Sequence, residues 1–349
     1  MRLISLLAVV VAVASTTGPV RADETPAASP LFAADTILDV KITAPLAQLS
    51  RERSVDEYLP GTFQFKNDDG EYTTFDVGIR ARGHFRAKPS VCAMPPLRLN
   101  FKKSQLKDSL FAGQDKLKLV THCQPNSFYY EQAMLSEYLS YRILNILSDN
   151  SFRVRLIRVS YVDADGGDGD ENYAFLVEHK DQLGARIGLP PLDIESTTID
   201  RLDPAYLNLT SVFQYLIGNA DFSPIAGSPG DQCCHNYTLF GRDDAPFISV
   251  PYDFDMTGMV APPHAQPNPK LRLDSIKERI YRGRCINNEI LDSTLQLFLE
   301  KRAAIEALVN DQPELGSSTR GDMLKYIRSF YRTISAERAV KRNMLSKCE

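Results

Sequence analysis

Four residues in the second half of the chain have the types and spacing to do chemistry: Asp221, Asn236, Asp253 and Asp255. Asp221 ends the run Ile217-Gly-Asn-Ala-Asp221, and Asn236 follows His235 at the start of a short apolar stretch. Asp253 and Asp255 flank Phe254 just beyond the apolar run 247–250. Carboxylate and amide oxygens are the ligands a hard cation such as Mg²⁺ prefers, and Mg²⁺ keeps positions open for phosphate oxygens. Phosphoryl transfer needs such a set. One carboxylate orients the attacking hydroxyl, and further oxygens hold the ion that neutralises the phosphates. Asp and Asn also cap helices and close turns, so any one of the four taken alone has a structural explanation too. The set points to a cation.

These residues must be positioned by the surrounding elements. Alternation predicts strands at 37–44, 61–65, 72–80, 96–101 and 116–120, with Asn67-Asp-Asp-Gly70 as the turn of a hairpin. Apolar residues at helical spacing predict a helix over 129–147, followed by strands at 153–163 and 173–178. After Lys180 the character changes. A helix is predicted over 207–218, two short strands at 236–240 and 247–250, and long helices at 288–309 and 322–344. Between them lies the proline-rich segment 262–269. A strand-rich part followed by a helix-rich part predicts an α+β chain of two lobes with a cleft between them. We set the boundaries at 1–22 (signal peptide), 23–34 (linker), 35–180 (N-lobe) and 181–349 (C-lobe).

The leader reads as an export signal. Arg2 precedes the apolar run 3–14, and Val20-Arg-Ala22 offers a small-x-small cleavage site after Ala22. The run is short for a membrane span, and no later segment is apolar enough to be one. The expected location is therefore periplasmic or secreted, with no membrane span in the mature chain. A net charge of −4, which becomes more acidic once Arg2 and Arg21 are removed, argues against a nucleic-acid partner. Six cysteines in an oxidising compartment suggest disulfides. Zinc is the competing reading, but the chain has no CxxC pair, and adjacent Cys233 and Cys234 chelate poorly. The expected pairings are Cys92–Cys123, and Cys285 with Cys233 or Cys234.

Over residues 75–260 an ordered series of short motifs resembles the spore-coat protein H (CotH) kinase family. The series begins with Arg80-Ala-Arg82-Gly83, Leu97-Arg-Leu-Asn-Phe101, Leu117-Lys118-Leu119 and Glu137-Tyr-Leu-Ser-Tyr141. It continues with Phe175-Leu-Val-Glu178, Asn219-Ala-Asp221, His235-Asn236-Tyr237 and Tyr252-Asp253-Phe-Asp255. The resemblance implies an atypical protein-kinase-like fold that transfers a phosphoryl group from Mg²⁺- or Mn²⁺-ATP to a hydroxyl acceptor. The acceptor would be a protein or another hydroxyl compound, with an envelope or surface protein as partner. It implies that Asp221 is the catalytic carboxylate and that Asn236, Asp253 and Asp255 are metal ligands. Lys118 would contact phosphate, with Lys116 on the same strand face as the alternative, and Glu137 would pair with that lysine. Arg82 with Gly83 would approach the phosphates, and Glu178 would lie near the nucleotide. The chain departs from the family where Met94-Pro-Pro96 stands in place of a lysine and where His84-Phe85 follows the glycine.

Two other readings stay open. A binding module could keep the architecture without turnover. The run Asp253-Phe-Asp255-Met-Thr257 also resembles the nucleophile loop of haloacid-dehalogenase phosphohydrolases, although no clear acidic pair follows it. Without HExxH or GxSxG, a zinc protease or a serine hydrolase has little support.

Overall fold

The computed structural model describes residues 28–67, 69–167, 169–228 and 232–349; the leader 1–22 lies outside them. Seven strands form one closed barrel: β1 (Leu38–Ala44), β2 (Leu59–Lys66), β3 (Tyr72–Ala81), β4 (Leu97–Phe101), β5 (Lys116–Val120), β6 (Val154–Asp163) and β7 (Asp170–Val177). The order round the wall is β1-β2-β3-β4-β5-β7-β6. All neighbours are antiparallel except β1 and β6, which run parallel from Leu38↔Ile157 to Ala44↔Asp163 and close the wall.

Alternation decides which side chains face inward. In β4 the buried residues are Leu97, Leu99 and Phe101, while Arg98 and Asn100 face out. The interior is aromatic at one end. Phe111, on the β4–β5 connection, packs its ring 5.0–5.9 Å from those of Phe63, Phe65, Phe75 and Phe101. Each of these fully desolvated rings contributes roughly 1.5–3 kcal/mol of burial free energy.

The helices are α1 (Leu46–Glu52), α2 (Phe128–Leu147), α3 (Lys180–Ile187), α4 (Pro204–Ile217), α5 (Leu291–Asn310), α6 (Ser317–Ile334) and α7 (Glu337–Val340). A two-stranded ribbon, β8 (Tyr237–Phe240) with β9 (Ile248–Pro251), lies between α4 and α5. α2 packs against β6 and β7 on one side and against α5 on the other. Val120, Phe175 and Val177 on the barrel's outer face therefore share one core with Leu135, Phe213, Phe254, Phe298 and Phe330.

This corrects the predicted two-lobed, kinase-like α+β fold. The strand-rich part is not an open sheet facing a separate helical lobe. It is a closed barrel in a mixed α/β chain, and its outer wall is continuous with the helical core. The overturning contact joins strands more than a hundred residues apart, which local alternation cannot reveal. The helix predicted at 322–344 is also interrupted, because α6 ends at Ile334 and a new turn begins at Glu337.

All six cysteines stand at disulfide distance in pairs: Cys92–Cys123, Cys233–Cys234 and Cys285–Cys348. The first pair is as expected. The expected partner of Cys285 is corrected: the tail returns beside 283–285, with Cys285 N–H donating to Glu349 O at 3.1 Å and Glu349 N–H to Gly283 O at 2.8 Å. Cys348 is thereby brought to Cys285. No described helix is long and apolar enough to cross a membrane.

Candidate active site

Asp221 owes its place to the end of α4. Asp203 caps the start of this helix, its Oδ1 accepting from Tyr206 N–H at 2.7 Å. Gly218 ends it in the left-handed conformation at φ +68°. The chain then pairs with a second segment. Gly258 N–H donates to Gly218 O and Met259 N–H to Ile217 O, both at 3.0 Å, and Asn219 bridges to Thr257. A Cβ on either glycine would collide with the Tyr326 hydroxyl, so both must lack one. This pairing brings the 219–221 segment beside the 253–259 segment.

Hydrogen bonds then join two of the four acid and amide residues, Asp221 and Asn236, and fix the backbone of a third, Asp253, against Tyr141. The Asn219 side chain accepts from Asp221 N–H at 2.9 Å. Asn236 Nδ2 donates to Asp221 O at 2.7 Å, and Tyr252 N–H donates to Asn236 O at 2.9 Å. Asp253 N–H donates to the Tyr141 hydroxyl at 2.8 Å. Asn236 and Asp253 both hold positive φ, 58° and 65°, conformations that asparagine and aspartate tolerate best among non-glycine residues. The Asp221 carboxylate is half exposed, and its Oδ1 lies 2.9 Å from His235 Nε2.

Opposite these acids is a row of cations set by strand register. Arg80 pairs with Arg98, and Arg98 with Lys118, so the three occupy one outward line across β3, β4 and β5. Arg82 lies two residues beyond Arg80 on the same face. The Lys118 ammonium is 4.3 Å from the centre of the Tyr252 ring. Burial, and then the positive charges of Arg82 and Arg98, pull this lysine down to about 7, against the attraction of Asp253. The Nε atoms of Arg80, Arg82 and Arg98 are buried without a hydrogen-bond partner. Arg80 also donates from Nη1 to Val55 O and Ala81 O and lies over the Tyr58 ring, but a row of like charges with unpaired Nε atoms is suited to receive an anion.

A third group sits behind the acids. Glu137 on α2 is 2% exposed, and its Oε2 is 3.3 Å from Arg86 Nη1. The same guanidinium is 3.7 Å from Asp255 Oδ2. Burial first, and then the neighbouring Asp253 charge, raise the Asp255 carboxyl to about 7. Burial and then Asp255 hold Glu137 well above its ordinary range. A small cavity of about 10 Å³, room for about one water, adjoins this group, walled by Arg86, Tyr130, Met134, Glu137, Asp255 and His264.

The residues named from the sequence fare unequally. Asp221, Asn236, Asp253 and Asp255 gather at one end of α4 and the ribbon, with Lys118 and Arg82 facing them. Lys116 is exposed, which leaves Lys118 as the lysine of this site. Gly83, at φ +80°, lets the chain turn away after Arg82. The expected pairing of Glu137 with Lys118 is corrected to a pairing with Arg86. Glu178 is taken up elsewhere: it is buried, it holds Arg186 Nη2 at 2.8 Å and Nε at 3.1 Å, and it caps Arg153 N–H at 3.0 Å. Its carboxylate locks α3 to the barrel.

Arg86, Arg98, Tyr141 and His235 were assigned no role from the sequence. Arg98 was legible in principle, since alternation along β4 turns it the same way as Lys118 on β5. Arg86 gave no signal, because its partner depends on the path of an irregular loop. Among the described residues, no three His, Cys, Asp or Glu side chains converge as a metal cage. No family model, curated protein or solved structure matches the chain.

Proposed function

We propose that this chain is an exported phosphotransferase that moves a phosphoryl group from ATP to a hydroxyl acceptor, as its resemblance to the CotH kinases implies. The observation that carries the reading is the meeting of two opposite fields at Lys118. Arg98 pairs with this lysine across β4 and β5, and its ammonium lies 4.3 Å from the ring of Tyr252, the residue before Asp253. The charges of Arg82 and Arg98 repel it and that of Asp253 attracts it. A triphosphate with its cation bridges such a junction, because the anion answers the guanidinium groups and the cation answers the carboxylates.

The donor set fits a hard divalent ion. Asn236 spends its Nδ2 on Asp221 O, which leaves its amide oxygen for the ion beside Asp253. Mg²⁺ bound through one or two carboxylates with phosphate oxygens and water needs no cage of three acids. When bound, the ion would neutralise charge on the phosphates. The remaining work falls to the chain. Lys118, Arg82 and Arg98 hold and orient the phosphates, and Tyr141 fixes the backbone of Asp253. Asp221, half exposed, accepts the proton of the acceptor hydroxyl, with its Oδ1 steered by His235. The three cysteine pairs suit an oxidising compartment, which supports export.

The test uses the purified chain with Mg²⁺ or Mn²⁺ and γ-labelled ATP. We expect label on the chain itself or on an added protein. Asp221→Ala should lower the rate on the order of 10²–10⁴-fold while keeping the nucleotide-induced rise in Tm. Metal-dependent stabilisation by ATP with no transfer to any acceptor would leave a binding module. Neither stabilisation nor transfer would end the reading.

A further inference from the structure

We propose that Arg86 is a built-in cation standing where a second divalent ion would stand, so that the site works with one metal ion per nucleotide. The inference rests on the phosphotransfer reading above and extends it to the metal count. Sites that use two ions set them about 3.5–4 Å apart between acids. Here the acids beyond Asp253 are already bridged. The Arg86 Nη1 atom is 3.3 Å from Glu137 Oε2 and 3.7 Å from Asp255 Oδ2, and Nη2 donates to Thr121 O at 2.7 Å. All three side chains are withdrawn from water, with 11% of Arg86, 2% of Glu137 and 15% of Asp255 exposed. Carboxylates so enclosed keep their charge only beside a positive partner, and a guanidinium cannot give up its charge near neutral pH.

The arginine is held in place by its loop as well as by its partners. The segment between β3 and β4 is tied down by Cys92–Cys123. It is tied again by Arg53, whose guanidinium donates to Ala87 O at 3.1 Å, Cys92 O at 2.8 Å and Ala93 O at 2.8 Å. The loop closes at its base, where Arg82 N–H donates to Pro96 O at 2.9 Å. A side chain carried on so anchored a loop acts as a permanent counter-ion. The other carboxylate, Asp253, together with Asn236, is then left to the exchangeable ion.

The experiment counts bound Mn²⁺ by electron paramagnetic resonance, with a saturating non-hydrolysable ATP analogue. We expect one Mn²⁺ per wild-type chain and two per Arg86→Met chain. The count should return to one in Arg86→Met combined with Glu137→Gln. Arg86→Lys, which keeps a single positive charge, should also hold one. Two ions on the wild type, or one on Arg86→Met, would overturn the inference while leaving phosphotransfer intact. If Arg86→Met does not fold, the wild-type and Arg86→Lys counts still decide it, since two ions on either would defeat it. No Mn²⁺ on the wild type, even with the analogue present, would overturn the phosphotransfer reading and this inference with it.

Discussion

Lys118 is placed where a lysine costs stability. Its ammonium is desolvated and lies near Arg82 and Arg98, so its pKa falls from 10.5 to about 7. A lowered pKa means that the folded chain binds the proton less well than the unfolded chain. The penalty is therefore absent above about pH 10.5 and grows as pH falls toward 7. Lys118→Met should raise Tm by a few degrees at pH 7 without nucleotide, with the gain shrinking as pH rises. The same variant should bind ATP about 10–100-fold more weakly. Thermal melts from pH 7 to 10 with and without ATP check both, and a lower Tm at pH 7 would make Lys118 a structural residue. At this scale the sequence was informative about acids and poor about their partners. Spacing singled out Asp221, Asn236 and Asp253; a hydrogen bond joins the first two, and Asp253 follows Tyr252, whose N–H donates to Asn236 O. Glu137 and Glu178 were recognisable as special, yet each belongs to an arginine that no local pattern names.

At the scale of elements, the site depends on the close pairing of the end of α4 with the segment after Asp255. Gly218→Ala would place a Cβ at a left-handed φ and against the Tyr326 hydroxyl. We expect a loss of about 1–2 kcal/mol from the backbone conformation alone. Displacement of Asp221 should lower activity more than the stability change accounts for. Urea unfolding beside rate measurements tests this, and a fall in stability with unchanged rate would mean that the pairing does not set Asp221. Strands and helices were legible because their periods are local. The predicted 129–147 and 153–163 are observed as Phe128–Leu147 and Val154–Asp163. The interruption after Ile334 does leave a local mark, because Glu337 and Arg338 stand where helical spacing calls for apolar residues and the buried series resumes only at Val340.

For the whole molecule, closure was the feature hidden from the sequence. The parallel β1–β6 contact makes a barrel of what reads as a string of hairpins, and a single core then fuses wall and helices. The tail is fastened as firmly. Cys285–Cys348 spans 63 residues, and loop-closure entropy gives such a link about 4 kcal/mol. Next to it, Glu349 holds Arg282 at 2.8 Å, and Arg282 donates to Phe222 O at 2.8 Å, one residue past Asp221. The double variant Cys285→Ser/Cys348→Ser should thus lose stability of that order in chemical denaturation. It should also turn over more slowly, whereas an unchanged midpoint would show that the tail is not a brace.

The ring of strands has a consequence for how another polypeptide could dock. Each strand of the ring already has a neighbour on both sides, so a passing polypeptide finds no open main-chain edge there on which to anneal. On the phosphotransfer reading proposed above, a protein acceptor would be gripped through its side chains and not by annealing to the ring. Selectivity among acceptors would then be altered by grafting loops, leaving the staves of the barrel untouched.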